Sequence, residues 1–348
     1  MTELLRLNDC GLYCEAGDFY IDPWKPVDRA IVTHAHSDHL RWGMKRYLVA
    51  APGFGVARIR LGTEADIATV EYGETVTVNG VRVSLHPAGH ILGSAQIRVE
   101  HHGQVAVVSG DYKTAPDATC APYEPIKCHL FVTESTFGLP IYRWAPETEV
   151  FEQINTWWRA NQAAGKASLL MGYALGKAQR ALSGLDPSIG PIFLHGAVES
   201  LTNAYRKQGV ALPETQSVFS VEKGFDWSKA IIIAPPSANG TPWLRRFGDH
   251  SNAFMSGWMA IRGARRRRSV DRGFVLSDHV DWPSLLGAID ATGAERVWVT
   301  HGYSTAVVRY LEEKGLEAKV LPTHWEGEQD AGEEVATEAS EGAISPLA

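Results

Sequence analysis

Between residues 34 and 39 the chain reads His34-Ala35-His36-Ser37-Asp38-His39, four side chains able to hold a metal within six positions. Histidine and aspartate are hydrophilic and costly to bury unpaired, so gathering them directly after the apolar run Ala30-Ile31-Val32 needs a chemical reason. Imidazole nitrogen and carboxylate oxygen are the donors zinc takes in catalytic sites that keep an open position. In extended chain, residues two apart point the same way, which puts His34, His36 and Asp38 along one side of a cleft with His39 beside them. The alternative is a polar loop that holds its histidines by chance, and the surroundings decide between the two.

Six other places repeat the layout of an apolar or β-branched run followed at once by ligand-type residues. Phe19-Tyr20-Ile21 leads to Asp22, and Val81 to Leu85 leads to His86 and then Gly89-His90. Gln104 to Val108 leads to Ser109-Gly110-Asp111, and Leu130-Phe131-Val132 leads to Thr133-Glu134-Ser135. Phe274-Val275-Leu276 leads to Ser277-Asp278-His279, and Arg296 to Val299 leads to Thr300-His301-Gly302. Short apolar runs bounded by turn residues read as buried strands, and strand ends are where layered α/β folds build their sites.

Together these residues resemble the metallo-β-lactamase superfamily and, within it, the nuclease branch that carries a β-CASP insert. The superfamily signature His-x-His-x-Asp-His is present as His34, His36, Asp38 and His39, its upstream aspartate as Asp22, and its third histidine as His90 in Gly89-His90-Ile91-Leu92-Gly93-Ser94. Its bridging aspartate matches Asp111. The nuclease branch adds Glu134-Ser135-Thr136-Phe137-Gly138, Ser277-Asp278-His279-Val280-Asp281 and His301-Gly302, all present and in order. Compact length, a short insert and the string Tyr173 to Arg180 are most similar to the bacterial ligase-associated DNA exonucleases.

The resemblance implies a metallo-β-lactamase αββα sandwich with an inserted β-CASP-like α/β domain. It implies two divalent ions, zinc first and manganese as the alternative, since both accept N/O donors. One ion would take His34, His36 and His90; the other would take Asp38, His39 and His301; Asp111 would bridge them. Such a pair clamps a phosphodiester and activates water for in-line attack. Asp38, His279 and Glu134 are then the catalytic candidates, with His279 as general acid oriented by Glu134. Asp22 is expected behind a ligand histidine as its hydrogen-bond partner. The implied activity is a DNA exonuclease of repair, with RNA processing as the alternative and a small-molecule hydrolase as a more distant one. A DNA ligase or helicase partner follows from the resemblance alone.

Residues 1–138 and 272–325 read as the two parts of the metallo-β-lactamase domain, and 139–271 as the insert. Strand and helix alternate through the insert, which predicts a parallel sheet: a helix over Glu147 to Ala164, a strand over Ser168 to Met171, a helix from Lys177, a strand over Pro191 to Leu194, a helix over Val198 to Gln208 and a strand over Ala230 to Ala234. The site is expected in the cleft between domain and insert. Gly172 to Lys177 is one residue short of a Walker loop and has Ala178 where Ser or Thr is required, which excludes ATP binding of that kind. Lys177 and Arg180 could instead meet a nucleic-acid backbone or belong to a purely structural turn, and Arg265 and Arg266 of the basic run that starts at Arg262 could track phosphates or form a solvated charge run.

The net charge of −7 is located at one end. Seven of the 40 acidic residues follow Trp325 and no Lys or Arg does, so the remainder balances its 33 basic residues. Residues 326–348 read as an acidic, disordered tail. Cys10, Cys14, Cys120 and Cys128 read as reduced thiols, with a Cys-x3-Cys metal site at Cys10 and Cys14 as the alternative. No signal sequence or membrane span is legible, which favours the cytoplasm.

Overall fold

A computed structural model describes residues 3–222, 224–261, 263 and 270–326. Arg262, Arg265, Arg266 and the acidic tail beyond Glu326 lie outside them. The described residues form two compact units, 3–143 with 278–326, and 144–277.

The first unit opens with a six-stranded sheet whose spatial order follows the chain: β1 (Arg6–Asn8), β2 (Gly11–Cys14), β3 (Phe19–Ile21), β4 (Ala30–Ile31), β5 (Tyr47–Ala50) and β6 (Ile67–Val70). Helix α1 (Phe54–Leu61) connects β5 to β6. A second sheet starts with β7 (Thr75–Val78), β8 (Val81–Pro87), β9 (Ala95–His101), β10 (Gln104–Val108) and β11 (Leu130–Ser135). The hairpin between β9 and β10 turns on His102 and Gly103, both at positive φ, the geometry of a tight two-residue turn.

The second unit begins with α2 (Glu147–Ala163), β12 (Ala167–Met171), α3 (Lys177–Ser183), β13 (Ile192–Leu194), α4 (Gly196–Lys207) and β14 (Gln216–Ser217), and continues with β15 (Ile231–Ala234), β16 (His250–Met255) and β17 (Arg272–Phe274). Its sheet is wholly parallel in the order β14-β13-β15-β12-β16-β17. Both faces are covered, which is why its strands read as continuous apolar runs. Leu170, Ile231 and Ile233 meet Trp158 of α2 and Ala181 of α3 on one face, while Leu169, Met171 and Ile232 meet Phe247 on the other.

The chain then returns to the first unit through α5 (Trp282–Thr292), β18 (Arg296–Gly302), α6 (Ser304–Glu313) and β19 (Glu317–Val320). This completes a seven-stranded second sheet in the order β19-β18-β11-β10-β9-β8-β7. Alternation along its strands builds two cores. Ala106, Val108, Val132 and Trp298 face the first sheet and pack with Leu12, Ile21 and Ile31. Val107, Phe131, Val297 and Val299 face the other way and pack under α5 and α6 with Leu285, Ile289, Val307 and Leu311. Each such side chain contributes on the order of 1.5–3 kcal/mol. The result is the αββα sandwich that the sequence implies.

Two boundaries differ from the sequence reading. Residues 139–143 stay with the first unit because Tyr142 is fully buried there, edge-on to Phe137 and hydrogen-bonded to Tyr303 through its hydroxyl at 3.1 Å. Residues 272–277 stay with the second, because β17 pairs with β16. Cys14 lies in the sandwich core, and all four cysteines are free thiols. No helix among the described residues is long and apolar enough to cross a membrane.

Candidate metal centre

The ligand-type residues of the first unit sit at or just beyond the C-terminal ends of its strands. Asp22 follows β3, His34 to His39 follow β4, His90 follows β8, Asp111 follows β10, and Glu134 and His301 lie in the last turns of β11 and β18. Parallel pairing of β10 with β11 and of β11 with β18 brings these ends to one side.

The segment after β4 is not extended, as alternation had implied. It turns, closed by His39 N–H and Leu40 N–H on the His36 carbonyl at 3.1 and 2.8 Å. The turn carries His39 back onto His34, with ring centroids 4.1 Å apart, and leaves His36 4.9 Å from His34. His34 and His39 are buried, whereas His36 and Asp38 are half-buried.

Asp111 stands at the centre of two groups. Its Oδ2 lies 3.6 Å from His34 Nε2 and 3.9 Å from His90 Nε2, and His90 Nε2 lies 3.1 Å from His36 Nδ1. Its Oδ1 lies 3.1 Å from His301 Nε2 and 3.7 Å from His39 Nε2, and His39 Nε2 lies 3.4 Å from Asp38 Oδ2. Gly110 lets the carboxylate reach this point: at φ 57° it packs so tightly on Thr33 that a Cβ would come within 2.6 Å of that side chain. Gly302 does the same after His301, where a Cβ would meet the Ser135 carbonyl oxygen at 2.3 Å.

The imidazoles are aimed from behind. Asp22, in the left-handed region at φ 42°, accepts from Thr33 N–H at 2.8 Å through Oδ1, and from Thr33 Oγ1 at 2.5 Å through Oδ2. The same Oδ2 lies 2.7 Å from His39 Nδ1. His90 Nδ1 donates to the Asp278 carbonyl at 2.9 Å. A ring that donates through Nδ1 presents the lone pair of Nε2 inward, which is how metal-binding histidines are fixed.

Burial and neighbours divide the ring charges. Burial holds His34 and His90 well below the usual imidazole range, with neighbouring histidines adding to the effect at each. Both are neutral, the form that binds a cation. Burial also opposes charge on His39, but Asp38, Asp111 and Asp22 override it and raise that ring to about 10, so a bound cation would displace the proton from its Nε2. Asp111 lies well below the carboxylate range, since His39 and His301 outweigh its burial.

The set fits a metal on its own atoms. His34 Nε2, His39 Nε2, His301 Nε2 and Asp111 Oδ1 are buried and make no hydrogen bond, and the 3.1 Å approach of the last two lacks hydrogen-bond geometry. Each such atom costs about 1–3 kcal/mol unless something satisfies it. Donor atoms of His34, His36, His90 and Asp111 all lie within 4.8 Å of one another.

Beside this centre lies a second pair. His279 Nδ1 is 2.9 and 2.8 Å from the two oxygens of Glu134, and Tyr112 N–H donates to Glu134 Oε1 at 2.9 Å. The His279 ring is 4.8 Å from that of His90. Burial disfavours its charge, but Glu134 raises it to about 10.

Lys177 and Arg180 are placed in the second unit, and both are buried. Arg180 Nη1 donates to the Ser277 carbonyl at 2.8 Å and lies 3.6 Å from Glu147, so a structural bond takes the group expected on a nucleic-acid backbone. His195 caps α4, its Nδ1 accepting from Ala197 N–H at 3.2 Å, and His86 bonds Ser84 at 3.0 Å. Sequence reasoning missed Thr33, Tyr112 and the Asp278 carbonyl. Tyr112 and Asp278 act here through main-chain atoms alone, which leave no mark in residue type.

No family model matches the chain. It is 34% identical over 314 residues to a probable DNA ligase of Opitutus terrae, covering 88% of this chain and 30% of that protein. It is 28% identical over 174 residues to the endoribonuclease YSH1 of Saccharomyces cerevisiae, covering 45% and 22%. It is 28% identical over 183 residues to the cleavage and polyadenylation specificity factor 73 of Drosophila melanogaster, covering 50% and 26%. The chain thus spans less than a third of the length of these curated relatives. A crystal structure of a protein of unknown function from Enterococcus faecalis V583 shares the fold, with a TM-score of 0.56, 10% identity, and 86% and 80% of the two chains covered.

Proposed function

The chain belongs to the β-CASP branch of the metallo-β-lactamase superfamily, and from that premise we propose that it is a metal-dependent nuclease acting on DNA as an exonuclease in repair. One observation carries the reading: Asp111 turns one oxygen to His34 and His90 and the other to His39 and His301, with the His279–Glu134 pair alongside. In this reading His34, His36 and His90 hold one divalent ion, Asp38, His39 and His301 hold the other, and Asp111 serves both. Zinc suits the histidine-rich set and manganese is the alternative. The ions would polarise the phosphodiester and acidify water between them.

The chain's own residues then have defined tasks. Asp22 and the Asp278 carbonyl keep His39 and His90 in register. His279 would act as an imidazolium: its Nδ1–H stays on Glu134, its Nε2–H passes to the leaving oxygen, and the neutral ring remains. Positive charge bound nearby would lower the His279 pKa from about 10 toward a value suited to an acid.

Support for DNA comes from the Opitutus terrae relative, whose name is that of a DNA ligase; a ligase or helicase partner belongs to the same reading. The rival is RNA processing, favoured by the two relatives named as an endoribonuclease and a cleavage and polyadenylation factor. A small-molecule hydrolase would have no use for the Glu134–His279 pair or the second unit. Matched end-labelled single-stranded DNA and RNA, incubated with Zn²⁺, Mn²⁺ or EDTA beside an Asp111→Ala control, test this. Metal-dependent shortening of DNA that the variant lacks is the expected result. Cleavage of RNA alone would move the assignment to RNA processing, and cleavage of neither would overturn the nuclease.

A further inference from the structure

After β19 the chain comes back over the ligand turn of its own unit. Leu321 N–H bonds the Val299 carbonyl at 2.8 Å, and the next residues run as a strap. Arg41 Nη2 donates to the His324 carbonyl at 2.9 Å, and the His324 ring stacks on Trp24 at 4.6 Å with 9° between planes. Trp325 is 3% exposed. Its ring lies against His39 at 5.3 Å and 25°, and its Nε1–H donates to the Asp22 carbonyl at 2.8 Å. The main-chain N–H of Glu326 donates to Asp38 Oδ2 at 3.0 Å.

These contacts fall on one half of the metal centre. Asp22 holds His39 by Nδ1, and Trp325 holds both the Asp22 backbone and the face of the His39 ring. Trp325, Asp22 and His39 therefore close a ring of contacts, the indole on the Asp22 carbonyl and the Asp22 carboxylate on the imidazole. At Asp38, the Glu326 N–H fixes Oδ2 and so orients the carboxylate. Trp325 also belongs to the sandwich core, and a buried indole N–H ordinarily takes a partner; what sets this one apart is that its partner is Asp22 and its face covers a ligand-type imidazole.

We propose that Trp325 and the main chain of Glu326 are positioning elements that set the affinity of the metal site formed by Asp38, His39 and His301. The inference rests on the two-metal reading above. Loss of partners that orient metal ligands typically costs about 10–100-fold in metal affinity. The strap therefore tunes one of the two sites while the other, built on His34, His36 and His90, keeps its own supports.

The test measures metal bound per full-length chain by elemental analysis, and zinc affinity by competition with a chromophoric chelator. Trp325→Ala and Glu326→Pro should each weaken one of two sites about 10–100-fold. Glu326→Gln keeps the N–H and should retain both ions. Trp325→Phe keeps the ring but loses the Nε1–H and should fall between wild type and Trp325→Ala. His90→Ala should weaken the other site, which identifies the one the strap controls. Two sites of wild-type affinity in Trp325→Ala and Glu326→Pro would overturn the inference and leave the two-metal reading standing. Fewer than two sites in the wild type would overturn both. Circular dichroism monitors folding, and should Trp325→Ala unfold, Glu326→Pro and Trp325→Phe decide.

Discussion

After β4 the first unit turns through His34 to His39, and after β12 the second unit turns through Gly172 to Gly176 into α3. Both turns bury polar side chains at the end of an apolar strand, and they satisfy them differently. In the second, Gln179 closes on itself: its Oε1 accepts from Gly176 N–H at 2.8 Å, and its Nε2 donates to the Ala174 carbonyl and Thr202 Oγ1, both at 3.0 Å. Arg180 is held by the Ser277 carbonyl. In the first, protein partners outside the histidine cluster reach the outer atoms. Asp22 and the Asp278 carbonyl take Nδ1 of His39 and His90, while Nε2 of His34, His39 and His301 converge on Asp111 without a hydrogen bond. Buried polar atoms that the protein satisfies make structure; buried donor atoms that converge unsatisfied make a site for something else.

The strongest challenge to that contrast is Asp111→Ala. It should lower hydrolysis on the order of 10³-fold or more, because it removes the carboxylate that faces both imidazole groups named above. Near-wild-type turnover would end the two-metal reading. His279→Ala should slow turnover by about 10²–10⁴-fold while metal content stays at the wild-type level, separating acid catalysis from ligation. A fall in metal content would make His279 a ligand instead. Asp22→Asn disturbs the support behind His39 and should weaken zinc binding by about 10–100-fold, read by chelator competition. The smallest effect belongs to the other turn. Gln179→Ala should cost about 1–3 kcal/mol of stability in denaturant unfolding and leave the metal content unchanged. Loss of metal in that variant would erase the distinction between the two regions.

How far the sequence could be read depended on what each feature is made of. Strands β3, β4, β8, β10, β11 and β18 were legible because each is a short apolar run ended by turn chemistry. The parallel sheet of the second unit was legible from the alternation of α2, α3 and α4 with β12, β13 and β15. Helix α1 carries no amphipathic stripe, with Gly55, Arg58 and Arg60 among its eight residues, and was not seen. The turn at His36 escaped because period-two reasoning assumes extended chain, and only the bonds to the His36 carbonyl reveal the fold-back. For Arg180 the sequence left a nucleic-acid backbone contact and a structural turn equally open, because residue type says nothing of burial and a buried arginine on a backbone carbonyl looks the same in sequence.

The sequence by itself named the candidate donors. Side-chain type decides which atoms could bind a cation, and His34, His36, Asp38, His39, His90, Asp111 and His301 are the candidates that type and motif single out. Tertiary structure decided how those donors divide. Which oxygen of Asp111 faces which imidazole, which nitrogen of His39 and His90 is held by a partner, and that Trp325 lies on His39 from 286 positions away in the chain all depend on contacts between distant segments. Such contacts run largely through backbone atoms and ring faces, and these are set in place only when the sandwich closes.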